Sequence, residues 1–360
     1  MKRYIGYTLT VLLVVALAVG AAAKPPNVNY RDIRAVGMGG AGIATMNDFS
    51  ATMYNPAQLV RAERHFDLIN VQATMGNDVI GMFDFYDEHQ ETFENWDDAT
   101  PDERSVLLND MSEYDDNWMG FGAYPQIGFS LPNFAVGIYG AGDVLFKADK
   151  GVFDPRVYMR GVADYVLTGG AAIELPVNFL PNKLYGGAAL KIIRRYQVRE
   201  LTLSASDVDV STAYDTLVEE SLHGFGLDVG ALYELIPGRM DLGMNIRDLV
   251  GSIDGDAPPI QVNVGAAYHV SRDIMLAADF NDVFFSEGEN VFNKLYFGGE
   301  YSGFRILALR AGFAQGWPSV GAGLKLGILD IDGAIYGVEH TDHPGGDGDY
   351  NYAVRLKLGL

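Results

Sequence analysis

The chain has 360 residues, no cysteine and a formal net charge of −21. So acidic a chain argues against nucleic acid as a partner, because phosphate recognition wants a basic face. Without cysteine there is neither a disulfide framework nor a lipoprotein anchor, and the length allows one large domain or two smaller ones.

The N-terminus opens Met1-Lys2-Arg3, continues apolar from about Tyr7 to Val19, and closes on Ala21-Ala22-Ala23 before Lys24-Pro25-Pro26. A positive start, a short apolar run and a small-residue end predict a signal peptide over 1–23 and Sec-type export. The apolar run falls short of the roughly 20 residues a membrane helix needs.

The next stretch, Arg34 to Val60, reads RAVGMGGAGIATMNDFSATMYNPAQLV. Gly37, Gly39 and Gly42 match the spacing G-x-G-x-x-G. A dinucleotide fingerprint needs a strand before it, a helix after it and an acidic residue about twenty positions on. The residue twenty past Gly37 is Ala57, Asp48 is too near, and no alternation of strands and helices follows. No nucleotide and no other cofactor is expected.

From Asn77 to Trp118 fourteen Asp or Glu face one basic residue, Arg104, so this segment carries −13 of the net charge. It reads as a solvated acidic loop, 77–118, on the extracellular side. The alternative, a surface for cations or a basic partner, lacks the ligand spacing of a calcium loop.

The rest of the chain alternates at period two. In Ile260 to Val270 one face reads Ile260, Val262, Val264, Ala266, Tyr268, Val270, and the other Gln261, Asn263, Gly265, Ala267, His269. Tyr350 to Leu360 and Leu184 to Ile192 repeat the pattern. Successive strand side chains point to opposite faces, so each strand has one apolar and one polar or small face. Fourteen strands are predicted, at 65–75, 119–131, 134–148, 157–175, 183–203, 221–236, 239–250, 259–270, 274–285, 293–302, 305–314, 318–328, 332–341 and 350–360. Most reach the ten or so residues that a tilted barrel strand needs to cross a bilayer, where soluble strands average about five or six.

Connectors alternate between short turns, such as Pro132-Asn133 and Pro237-Gly238, and mostly longer loops. That asymmetry, the even strand number and the 20 Tyr, 19 Phe and 3 Trp available for interface girdles predict an all-β transmembrane antiparallel barrel rather than a sandwich. The barrel is expected over 63–360, in the bacterial outer membrane, with the lipid bilayer as its surroundings. Its many strand glycines are expected to ease wall curvature.

The run Gly37-Met38-Gly39-Gly40-Ala41-Gly42, then Asn47-Asp48, then Asn55-Pro56-Ala57 leading into a first strand, resembles the FadL-type outer-membrane transporters. It is also similar to their PorV-like and TraF-like relatives in type IX secretion and conjugal transfer. The motif-level likeness covers about 31–60; the strand number extends it as architecture. The resemblance implies an N-terminal hatch, 24–62, inside the lumen, with hatch glycines Gly37, Gly39, Gly40 and Gly42 and a turn at Asn55, Pro56 and Ala57. It further implies uptake of hydrophobic small molecules such as long-chain fatty acids. The substrate would leave through the wall at a kink in the third strand, here Gly140, Gly142 and Asp143, although glycines easing curvature explain these residues equally well.

Alternation places charged side chains of both signs in the lumen. They form either a network of ion pairs that holds the hatch and stiffens the wall, or a ligand site. For the second reading Lys191, Arg195 and Arg199, four residues apart on one face, would hold a substrate carboxylate. No G-x-S-x-G is present, and His340 and His343 beside Asp342, one H-x-x-H in a polar loop, are weak evidence for a metal site. No catalysis and no metal is expected. The rival function is a docking barrel with a secretion-system or surface partner. The discriminating feature is a transporter's apolar pocket, lined by Phe, Met or Leu, reaching from the outer rim to the hatch.

Overall fold

The computed structural model describes residues 30–96, 98–114, 118–150, 156–204, 221–285, 290–339, 345 and 348–360. The expected signal peptide, the first residues of the expected hatch and the His340/His343 loop lie outside these. Fourteen strands form: β1 (His65–Gly76), β2 (Trp118–Leu131), β3 (Phe134–Asp149), β4 (Arg156–Leu175), β5 (Leu184–Ser204), β6 (Ser221–Ile236), β7 (Met240–Ile253), β8 (Gln261–His269), β9 (Ile274–Phe280), β10 (Leu295–Tyr301), β11 (Leu307–Ala314), β12 (Trp317–Leu326), β13 (Leu329–Glu339) and β14 (Gly348–Gly359). Each pairs antiparallel with its sequence neighbours, and β1 pairs with β14, so the sheet closes into a barrel with no free edge.

The faces divide as the alternation predicts. On β5, Leu190 is 65% exposed while the next residue, Lys191, is 3% exposed. On β14, Val354 and Leu356 face out while Arg355 and Lys357 are buried. Similar outward apolar residues recur around the barrel, from Ile127 and Ile138 to Val320 and Ile335. A belt of exposed apolar side chains around a polar interior inverts a soluble protein, and suits a wall with lipid outside and water inside.

The expected strand bounds hold to within three residues except at the end of β9, which stops at Phe280 rather than 285. The chain turns inward at Asp282, whose φ is 48°. The Asp282 amide donates to Asn263 Oδ1 at 2.8 Å, and the Val283 amide donates to the Val262 carbonyl at 2.8 Å. A polar side chain on the inner face of β8 has captured the chain and ended the strand.

The acidic segment departs further from expectation. It is not an irregular loop but two helices, Asn77–Glu94 and Pro101–Asp110. Thr100 caps the second in a capping box with Glu103, followed by Pro101 at the first helical position, a start signal present in the sequence as Thr100-Pro101-Asp102-Glu103. Phe85, Trp96, Leu107 and Met111 bury together against Ala148 near the end of β3. The acidic residues decorate the outside of a small apolar core.

The main core lies inside the barrel, between the inner wall and residues 30–62. These form a helix α1 (Ile33–Gly37), a turn of helix α2 (Ala51–Tyr54) and a 3-10 turn, Pro56–Arg61. Phe49 and Leu59 from this segment pack with Tyr124, Tyr139, Val166 and Ile193 of the wall. Burying each such large side chain contributes about 1.5–3 kcal/mol, so packing alone ties the segment firmly to the wall.

Candidate functional site

The site is the lumen, and its floor is the glycine-rich segment. Asp32 caps α1 by accepting from the Arg34 amide at 2.8 Å. After Gly37 the chain turns tightly through Gly39 and Gly40, with φ of 63° and 86°. At Gly39 a side chain fails twice: the φ is left-handed, and a Cβ would sit 2.6 Å from the Phe313 backbone nitrogen. The wall reciprocates with Gly298 and Gly312, which pair across β10 and β11 directly under Met38 and Gly39. The glycines were expected to ease curvature. These two serve instead to let one backbone lie on another, Gly187 and Gly243 do the same under Pro56 and Ile43, and Gly230 leaves room for the Asn55 side chain.

Gly42 turns its amide toward the wall. It donates to Asp279 Oδ2 at 2.6 Å, and the Ile43 amide donates to the same oxygen at 2.9 Å. Asn55 is fully buried. Its Nδ2 donates to the carbonyls of Ile43 and Ala231, each at 3.0 Å, and its Oδ1 accepts from the Ala57 amide at 3.1 Å. One side chain therefore caps the Pro56–Arg61 turn, ties it to the glycine loop and pins both to β6. Pro56 stands at the first position of that turn, where the amide it lacks has no partner anyway. Arg61 ends it with ion pairs to Asp241 and Glu234.

Charges close a ring around α1. Arg34 pairs with Glu300 at 2.8 Å, Glu300 with Arg310 at 2.8 Å, and Arg310 with Asp332 at 2.7 Å. Asp332 pairs with Arg355 at 2.6 Å, and Arg355 with Asp32 at 3.1 Å, returning to the cap of α1. Three cations and three carboxylates thus join the segment to β10, β11, β13 and β14 with no net charge. Near the lower rim Lys357 adds pairs to Asp67 at 2.9 Å and Asp48 at 3.6 Å. Burial alone would raise the Asp48 carboxyl, but Lys357 and Arg355 hold it below the usual carboxylate range.

The expected cation ladder is engaged within the wall. Lys191 binds Asp228 at 2.8 Å and Asp248 at 2.6 Å; Arg195 binds Asp164 at 2.7 Å. Arg199 lies on β5, but its side chain is outside the described residues. At the third strand, Asp143 faces the lumen and accepts from the Tyr124 hydroxyl at 2.5 Å. The β2–β3 ladder pairs Ala123 with Gly142 and resumes at Gln126 with Tyr139, skipping Tyr124 and Pro125 opposite Gly140 and Ala141. The register is the same on both sides, and β3 pairs without a break along β4. Proline has no amide to donate to a ladder. The irregularity is an interruption beside Gly140, not a bulge.

Above the glycine segment lies a chamber of about 410 Å³, within the roughly 300–1,000 Å³ typical of small-molecule sites. Rings form much of its lining: Tyr30, Tyr54, Tyr139, Tyr296, Tyr336 and Trp317. Polar groups share that lining, with Gln261, Asn263, Asn281, the guanidiniums of Arg31 and Arg247 and the Asp282–Lys294 ion pair. No Phe or Leu lines it, and Met53 is its one methionine. The pocket expected of a transporter was apolar; this one has two characters. Sequence reasoning placed Gln261 and Asn263 on the polar face of their strand but missed Asn281, Asp282 and Lys294, which reach the lumen only through the inward turn after β9. Among the described residues no cluster of three or more metal-ligating side chains comes together.

No family model matches the chain, and no curated protein matches it. Solved structures do. The toluene transporter TodX of P. putida superposes with a TM-score of 0.56 at 12% identity, over 93% of this chain and 99% of that one. The Ralstonia pickettii toluene transporter TbuX gives 0.52 at 13% identity, over 92% and 98%. The monoaromatic hydrocarbon channel CymD gives 0.50 at 12%, over 93% and 98%. Over about 93% of its length, this chain has the barrel fold of these FadL-type channels.

Proposed function

We propose that the chain is an outer-membrane channel for the uptake of hydrophobic small molecules, gated by its N-terminal segment. The observation that carries the reading is a lumen open above as a chamber and filled below by residues 30–62, inside a barrel whose outer belt is apolar. The likeness of fold to toluene and monoaromatic hydrocarbon channels supports the same class of substrate. A molecule entering from outside would rest in the chamber against its aromatic rings. Its way down is filled by the glycine segment and the charge ring, so passage needs that segment to shift or the wall to part. The interrupted ladder beside Gly140 and Pro125 is the place where the wall would part. The rival reading, a docking barrel of a secretion or conjugal-transfer apparatus, draws no support from these likenesses.

The test is uptake by intact cells. The chain is expressed in the outer membrane of a lipopolysaccharide-bearing host, and uptake of labelled toluene and of a labelled long-chain fatty acid is compared with cells carrying an empty vector. Faster uptake of at least one is expected. Equal uptake of both with and without the protein would overturn the reading.

A further inference from the structure

The wall is lowest where β9 meets β10. Each of these strands has 7 residues, fewer than the roughly 9–11 that a tilted barrel strand needs to cross the hydrocarbon. By contrast β4 and β5 have 20 and 21. The upper ends of β9 and β10, Phe280 and Leu295, therefore lie at the depth of the lipid tails. Beyond them exposed apolar side chains continue on irregular chain, with Phe284 75% and Phe292 61% exposed. Irregular backbone at that depth is tolerated where it borders a cavity, and this stretch does: Asn281, Asp282, Lys294 and Tyr296 line the chamber.

On the outer face of the same place lies a groove of about 510 Å³, within the roughly 300–1,000 Å³ of small-molecule sites. Ala266 and Ala278 line it and pair across β8 and β9, flanked in register by Leu242 and Phe297. Their chain neighbours Ala267 and Ala277 are buried on the lumen side, so alternation turns the two alanines to lipid. Phe280 and Leu295 complete the groove's upper end, and the residues next to them, Asn281, Lys294 and Tyr296, already belong to the chamber. One thickness of backbone separates the two spaces. Its closure converges on Lys294. The Lys294 carbonyl accepts from the Asn281 amide at 2.9 Å, and its ammonium pairs with Asp282 at 2.5 Å and lies 5.4 Å over the Phe285 ring. The two flanks lean on different neighbours. The Val283 amide donates to the Val262 carbonyl of β8 at 2.8 Å, whereas the Asn293 carbonyl accepts from Gln315 of the β11–β12 turn at 3.3 Å.

We propose that the wall opens at this seam, with Lys294 as its clasp, and that apolar cargo enters the chamber sideways through it from the outer leaflet. The occupant of the groove is the cargo itself: the groove is apolar, opens on lipid and abuts the chamber. An apolar molecule leaves water for the lipid tails, so a side entrance meets it where it is concentrated. Parting Asn281 from Lys294 then joins groove and chamber. This rests on the channel reading above and adds a way in, leaving the interruption beside Gly140 as the way out.

The chain has no cysteine, so an engineered pair can be read without interference. Phe280 and Leu295 face each other in register across the seam, and a disulfide in the double variant Phe280→Cys, Leu295→Cys would lock it. Uptake by intact cells is measured for the oxidised and the reduced protein, per amount of folded barrel. The probe is labelled toluene, or the labelled fatty acid if the unaltered chain takes up only that. Oxidation is expected to remove most of the protein-dependent uptake, and reduction to restore it. Val320→Cys with Ile335→Cys, an outward pair across β12 and β13, locks another part of the wall and should change nothing. Equal uptake in the two states of the Phe280/Leu295 variant, or an equal loss in the control, would overturn the proposal. Lys294→Met unfastens the clasp and should speed uptake; unchanged or slower uptake would count against it. Should the cysteine pair fail to assemble, Ala266→Phe fills the groove instead. It should slow uptake, and no slowing would overturn the proposal. No uptake of either probe by the unaltered chain would overturn the channel reading itself.

Discussion

Arg355 of β14 donates to Asp32 of the N-terminal segment at 3.1 Å, inside the barrel and away from solvent. The same guanidinium holds Asp332 of β13 at 2.6 Å. Asp32 is thus the carboxylate through which the wall's charge ring grips the segment. Asp32→Asn should loosen that grip while leaving Arg355 with one carboxylate. Removing a partner from a buried pair costs about 3–5 kcal/mol when the remaining charge is uncompensated; Asp332 places this case at the low end. The expected result is a higher conductance in planar bilayers, with the barrel still folded by gel mobility with and without heating. Unchanged conductance would show that the ring does not control the segment.

The backbone contact at Gly39 gives a sharper steric test. Gly39→Ala adds a methyl where φ is left-handed and the Phe313 backbone is 2.6 Å away, so it should cost more than the roughly 1–2 kcal/mol of the left-handed conformation alone. Gly312→Ala, on the wall beneath it, meets the Met38–Gly39 backbone and should be as damaging. Gly142→Ala is the control: its nearest neighbour would be 3.6 Å away, an ordinary contact, and the change should stay within about 1 kcal/mol. Urea midpoints of the three variants check the order. If Gly142→Ala were as destabilising as Gly39→Ala, curvature rather than the seated segment would explain the glycines.

These cases mark how far the sequence can be read. Strand positions were legible because a wall with lipid on one side and water on the other enforces strict alternation, as Leu190 beside Lys191 illustrates. The ion pairs of Lys191 and Arg310 were legible as a class, since inward charges of both signs must neutralise one another, but their partners depend on register across strands. The partnership of Gly39 with Gly312 lies 273 positions apart in sequence (312 − 39). Nothing local distinguishes a glycine that seats another backbone from one that bends a strand. Part of the chamber's polar lining was hidden for a similar reason: the capture of the Asp282 amide by Asn263 ends β9 early, and only then do Asn281 and Lys294 join the lining. The helices at 77–110 had a readable start in Thr100-Pro101-Asp102-Glu103, which the weight of charge around it obscured.

Asp48 gives the segment a dependence on acid. Its carboxyl is held below the ordinary range by Lys357 and Arg355. A carboxyl depressed in the folded state contributes stability that is complete above its unfolded value, about 3.9, and is lost as pH falls through the folded value. The segment should therefore stay seated from neutral pH down to about pH 4 and loosen below it. Conductance measured from pH 7 to pH 3 should be flat and then rise. Asp48→Asn should lessen the rise and leave a higher conductance at neutral pH. A rise already complete at pH 6 would point to another group.

Asn55 separates capping from anchoring. Asn55→Ala removes a cap worth about 1 kcal/mol and takes one donor from the Ile43 carbonyl, which keeps Gln58 Nε2 at 3.0 Å, and one from the Ala231 carbonyl, each loss being that of a buried hydrogen bond, about 0.5–1.5 kcal/mol. Asn55→Asp keeps the oxygen that accepts from Ala57 but turns the donor into a second oxygen facing two carbonyls. At neutral pH it also places a charge at a site with no solvent exposure, which burial penalises heavily. If anchoring is the main role, Asp should be no better than Ala, despite being an equally good cap on an exposed helix. Limited proteolysis of the N-terminal segment reads this directly: both variants should be cut within 30–62 at protease levels that spare the unaltered chain. On acidification the Asp variant should regain protection, because a protonated carboxyl can donate to one of the two carbonyls, whereas the Ala variant should not. An Asp variant as protected as the unaltered chain at neutral pH would mean that Asn55 matters only as a cap.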